Sequence, residues 1–167
     1  MTQIILDKQI ANDDWILVAD DVALSNAKEV INFSRWAAAE GADKEALFAK
    51  RDTGSLGLQL NAGDTADLLA ADSQGFALIN VDFPKFADGR GYSAARLLRE
   101  RYEFTGELRA VGDVLFDQLF SMMRCGFNAM AMRADQNLTL AVKGFETFSS
   151  PYQGDVNDTR PLFRRRS

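Results

Sequence analysis

A chain of 167 residues, nearly half of them apolar, fits one domain with a continuous core. The net charge of −5 argues against non-specific binding to nucleic acid, and the absence of histidine removes imidazole acid/base catalysis and makes a zinc site unexpected. One cysteine cannot form an internal disulfide, no apolar run is long enough to span a bilayer, and residues 1–15 lack a secretory pattern, so a cytoplasmic protein without membrane or nucleic-acid partners is expected.

In chain order, Ile4 to Leu6 and Trp15 to Val18 read as strands that pair as a hairpin, forming a strand-rich extension over residues 1–29 that covers one sheet edge. From residue 30, short apolar runs alternate with amphipathic stretches about every 20 to 25 residues, the rhythm of βα units. Strands are expected at Val30 to Phe33, Leu56 to Leu60, Phe76 to Val81, Leu108 to Val111 and Ala129 to Met132. Helices are expected at Arg35 to Lys50, Thr65 to Ala71, Ser93 to Tyr102, Val114 to Cys125 and Leu138 to Phe148. Asp64, Ser93 and Asp113 sit where helix N-caps belong, and Gly126 where a left-handed residue would end the fourth helix. The pattern predicts a single α/β domain over residues 1–150, with a mainly parallel sheet of about five strands and a surface tail over 151–167. An open three-layer sheet with flanking helices is the expected form, and a partial TIM-type β/α barrel is the alternative.

Ligands of α/β sheets bind outside the carboxyl ends of the strands. The segment from Phe83 to Ser93 leaves a strand there and enters a helix. Lys85, Gly89, Arg90, Gly91 and Ser93, with Arg96 one turn into the helix, form a candidate site for a small anion: cationic side chains, glycines that admit close backbone approach, and free N–H groups at a helix start. The alternative is a plain turn in which Gly89 and Gly91 take positive φ and Asp88 fastens the loop. Asp82, Asp88, Asp113 and Tyr92 are the candidates for acid/base work, Gln118 reads as part of a solvated face, and no metal site is expected. Cys125, at a helix C-terminus, reads as a buried and unreactive thiol.

The stretches FPKFADGRGYSAARLLRER at 83–101, GELRAVGDVLFDQL at 106–119, MRCGF at 123–127 and FSSPYQ at 148–153 resemble the bacterial DUF934 family, some of whose members carry an oxidoreductase label. The resemblance implies a setting, since such proteins are encoded beside sulfite reductase and other enzymes of sulfate assimilation; it assigns no activity, cofactor or catalytic residue. The sequence has no dinucleotide fingerprint and no paired cysteines, so a redox role would need an unrecognised cofactor mode or a partner. Two functions are expected: an enzyme or accessory protein of sulfite reduction that binds a small anionic ligand at the carboxyl end of its sheet, or a non-catalytic partner of the sulfite reductase system.

Overall fold

The computed structural model describes residues 2–145, 153–161 and 164. The chain opens with β1 (Gln3–Leu6), turns through Asp7 and Lys8 with positive φ, and returns as β2 (Gln9–Asn12). There follow β3 (Ile16–Leu17), β4 (Glu29–Asn32), α1 (Phe33–Ala38), α2 (Gly41–Asp52), β5 (Leu56–Leu60), α3 (Ala66–Leu69) and β6 (Leu78–Phe83). The remainder is α4 (Arg90–Glu100), β7 (Glu107–Gly112), α5 (Leu119–Arg124), β8 (Ala129–Met130) and α6 (Leu138–Gly144), with 3-10 turns at Ala70–Gly75 and Phe116–Gln118. No helix among the described residues is long and apolar enough to cross a membrane.

Eight strands form one sheet, not the five expected, in the order β2-β1-β8-β7-β6-β5-β4-β3. From β3 to β8 every neighbour is parallel, while β1 runs antiparallel to both β8 and β2. The expected hairpin therefore exists with a different second strand. Ile16 and Leu17 lie at the opposite edge of the sheet, beside Glu29 and Val30. The expected three-layer arrangement is also corrected. The parallel strands follow each other in space as in sequence, and right-handed crossovers in one direction place their helices on one face only.

Chain length makes that sheet curl. Laid flat, its eight strands would separate β2 from β3 by about 34 Å at the usual inter-strand spacing. Only residues 13–15 join Asn12 to Ile16, a reach of at most about 15 Å. The two edges must approach each other, with the strands tilted and staggered as in a barrel, although no ladder pairs β2 with β3 among the described residues.

The outer face carries the main core. Leu56, Leu58 and Leu60 of β5, Ile79, Val81 and Phe83 of β6, and Leu108 and Ala110 of β7 pack beneath Leu47, Ala95, Leu98, Leu119 and Met122 of the helices. The single helix expected from Arg35 to Lys50 is two, because Ala39 is extended and Gly41 takes φ +55°, a conformation that ends one helix and redirects the next. Gly126 has the positive φ expected after the fourth helix. Beyond it, residues 153–161 return to α5, where the Val156 N–H donates to the Arg124 carbonyl and Asn157 donates to the Met123 carbonyl. The expected helix end at 146–148 lies outside the described residues.

Candidate binding site in the curled sheet

Parallel strands point their carboxyl ends one way, and Asp82 and Asp113 accordingly lie at the same end, Asp82 facing Val111 and Phe83 facing Gly112 in the ladder. Asn61, Asp82, Asp88 and Arg90 surround one water-sized notch there, with Asp64. Asp113 binds the neighbouring loop: one carboxylate oxygen pairs with Arg133 at 2.8 Å and the other accepts the Phe86 N–H at 2.9 Å. It fastens loops and does not cap α5. Asp64 likewise turns back to accept the Asn61 N–H at 2.8 Å.

Two of the three cations expected to hold an anion, Arg90 and Arg96, are already matched. Asp88 takes Arg90 in a two-point fork, at 3.0 and 2.6 Å, and accepts the Arg90 N–H at 3.1 Å, which holds its carboxyl down to about 2. Arg96 pairs with Glu100 one turn along the helix. Ser93 is exposed inside α4 and is not its N-cap, which is Gly89. Neither Gly89 nor Gly91 has positive φ; a Cβ on Gly91 would come within 2.5 Å of the Phe83 ring, so this glycine lets α4 lie against β6. Lys85 is exposed and makes no ion pair among the described residues. Tyr92 faces the helix layer, its ring edge-on to Phe83 at 5.3 Å, and burial first, then the neighbouring Cys125, raises its pKa. Gln118 is buried, accepting from the Leu115 N–H and donating to the Phe86 carbonyl, which corrects its placement on a solvated face. Cys125 is half-buried rather than fully buried, and burial pushes its thiol up.

The more informative surface is the inner face. Side chains alternate along a strand, so the ladder register sorts them into rows. Val30, Gly57 and Leu78 share one row, and the next holds Asn32, Gln59, Asn80 and Arg109 from four adjacent strands. Above them stands Asp82, two residues beyond Asn80 on β6. Of these, Val30, Gln59, Asn80, Asp82 and Arg109 line a cavity of about 300 Å³ with Asp13, Trp15, Leu17, Val111, Gly112 and Ala131.

Most of the row is internally satisfied. Gln59 donates to Asn61 at 3.1 Å, Asn61 to Asn32 at 3.2 Å, and Asn32 to Asp20 at 3.0 Å. Arg109, only 3 % exposed, is held by Asp13 at 2.9 Å and by Glu107 at 2.7 to 2.8 Å. Two groups remain. Asn80 is 5 % exposed and its Oδ1 has no hydrogen-bond partner. Asp82 makes no ion pair among the described residues; partial burial, reinforced by the charge of Asp88, raises its pKa. Gly112, with φ +93°, lies so close that a Cβ there would fall 2.7 Å from Asp82 Oδ1 and 2.5 Å from the Phe83 carbonyl. The register thus adds Gln59, Asn80 and Arg109 to the site, which reasoning on loops alone missed. Their signal in the sequence is a polar residue set between apolar ones inside each run: Gln59 in LGLQL, Asn80 in LINVD and Arg109 in ELRAV.

The profile of the family described as bacterial protein of unknown function (DUF934) matches residues 57–163. The chain belongs to the DUF934 family. No curated protein and no solved structure matches it. Gln59, Asn80, Asp82 and Arg109 fall inside the part of this DUF934 member that the profile covers, whereas Asp13 and Trp15 reach the same cavity from outside it.

Proposed function

We propose that this DUF934 protein is a ligand-binding accessory protein or enzyme that seats a small molecule at the carboxyl-end mouth of its curled sheet, in the setting of sulfite reduction and sulfate assimilation that the family resemblance suggests. The observation that carries the reading is the buried Asn80 Oδ1, left without a partner on the wall of a 300 Å³ cavity. A buried polar atom without a partner costs about 1–3 kcal/mol, and a ligand that supplies the missing hydrogen bond recovers much of it. The cavity is at the small end of ligand sites, of a size for a compact metabolite rather than a dinucleotide.

An anion held by Lys85, Arg90 and Arg96 is the less supported form of the proposal, because Arg90 and Arg96 would have to release Asp88 and Glu100. A thermal-shift screen with sulfate, sulfite, phosphate, nucleotides, nicotinamide cofactors, flavins and small amines tests the reading, since a ligand of the native state raises the melting temperature. A hit abolished by Asn80→Leu and retained by Arg90→Ala supports the inner cavity. The reverse pattern moves the site to the loop and overturns this reading.

A second reading, docking onto a protein partner of the sulfite reductase system, has its own observation. Phe86 and Phe116 are each 47 % exposed at the carboxyl end, on segments tied together through Gln118, whose amide spans the Leu115 N–H and the Phe86 carbonyl. Exposed aromatics on a fixed rim suit an interface. Co-purification with sulfite reductase that is lost in Phe86→Ser, with no small-molecule hit, would favour it.

A further inference from the structure

We propose that the inner cavity is a site for a small organic cation, an alkylammonium or guanidinium group set between the Asp82 carboxylate and Asn80 Oδ1. The inference rests on the ligand-site reading above and assigns the ligand's chemistry. Both unengaged groups are acceptors: a carboxylate and an amide oxygen. They stand two residues apart on one face of β6, about 7 Å along the strand, so a single donor-rich group can lie between them.

The charges inside the curl point the same way. The guanidinium of Arg109 pairs with two carboxylates, those of Asp13 and Glu107, and a third, that of Asp82, lines the same cavity. Arg109 is consumed by the first two, with its donors directed at Asp13 and Glu107, and offers little to an oxyanion. Asp82 is then an uncompensated negative charge at the wall of a cavity, where the lowered dielectric makes a cation's attraction stronger than at an open surface. Trp15 lines the same cavity, and its ring already draws one cation, the Lys28 ammonium 5.8 Å from its centroid. An incoming oxyanion would meet Asp82 with like charge and Asn80 Oδ1 with a second acceptor. Both contacts repel it.

The full-length protein can be titrated calorimetrically with n-butylammonium chloride, against 1-butanol, sodium butyrate and sodium sulfite as probes of the same or smaller size, with Trp15 emission followed in parallel. The expected result is saturable binding of butylammonium that perturbs Trp15, no comparable binding of butyrate or sulfite, and at least tenfold weakening in Asp82→Asn. Asn80→Leu should also weaken it, whereas Arg90→Ala should not. Melting curves on each variant separate loss of binding from loss of fold. Saturable binding of sulfite, butyrate or butanol that Asn80→Leu abolishes, with butylammonium inert, overturns the cation assignment and leaves the cavity reading standing. Butylammonium binding indifferent to both Asp82→Asn and Asn80→Leu overturns it as well, as does the absence of saturable binding of butylammonium.

Discussion

Single residues in this molecule divide sharply into those that hold the fold and those that burden it. Arg99 holds: its guanidinium donates to the carbonyls of Gly126, Phe104 and Gly106 and to Asn128 Oδ1, stitching α4 to the turn before β7 and to the start of β8. Asp82 burdens. Its carboxyl has a raised pKa in the fold, first because burial disfavours the charged form and then because Asp88 repels it. A raised acid pKa means the folded state binds the proton more tightly than the unfolded chain. Asp82 therefore favours folding most below its unfolded pKa, near 3.9, and that contribution is lost as pH rises through the raised value. At neutral pH the charged group is a cost, so Asp82→Asn should raise the melting temperature at pH 7, and the gain should shrink as the pH is lowered toward 4. Melting curves of the two proteins across that range check the expectation. An Asp82→Asn variant that melts lower at pH 7 would mean that the carboxylate has a structural partner. Stability sacrificed at a residue is common where function needs an uncompensated group.

Among the elements, the union of β4 with α2 shows how a buried charge can be accommodated. Glu29 is buried on the outer side of β4, where its carboxylate receives Lys50 from α2 at 3.1 Å and both the N–H and the hydroxyl of Ser25. Lys50 also donates to the carbonyls of Ser25 and Ala27. Burial alone would push the Glu29 carboxyl up, but the hydrogen bonds from Ser25 and the Lys50 charge outweigh it and the net direction is down. A depressed acid pKa stabilises the fold above the unfolded value, about 4.3, and the contribution disappears as pH falls through the folded value. Lys50→Met should leave Glu29 buried without its cation and cost about 3–5 kcal/mol, the usual penalty for breaking one side of a buried pair. The deficit at pH 7 should narrow near pH 4, because protonating Glu29 removes the orphaned charge. Urea melts of both proteins at the two pH values test this; a deficit that does not change with pH would assign the loss to packing.

At the scale of the whole molecule, strand positions were legible because apolar, branched runs leave little choice of state: LGLQL falls on β5 with its expected ends, and the runs at Val30, Phe76, Leu108 and Ala129 fall on β4, β6, β7 and β8 with ends shifted by at most two residues. The curl was legible only as the alternative of a partial TIM-type barrel. Its edges are β2, four residues with mostly exposed side chains that left no strand pattern, and β3, two exposed residues inside a strand expected at the opposite edge. The polar row inside the curl was hidden because one Asn, Gln or Arg in an apolar run reads as noise until the register aligns four of them.

Curling also creates the contact most exposed to test. Asp13, at the end of β2, crosses the concave face to Arg109 on β7, and the three residues 13–15 then continue to β3 at the opposite edge. This ion pair is 96 residues apart in sequence and mostly shielded, with side-chain exposures of 14 % and 4 %. If it latches the curl, Asp13→Ala should do more than remove one bond. Arg109 would keep Glu107 but lose half its neutralisation inside the sheet, a change of about 1.5–3 kcal/mol for a hydrogen bond to a charged group. The loss should be felt first where the latch acts, so amide exchange in residues 9–17 should accelerate well before that in β5, β6 and β7. A double-mutant cycle with Arg109→Met should return a coupling above about 0.5 kcal/mol, the level beyond which two sites are not independent. Uniform acceleration across the sheet with no coupling would show that residues 13–15 merely pass over the cavity and that the curl is held by the βα units alone.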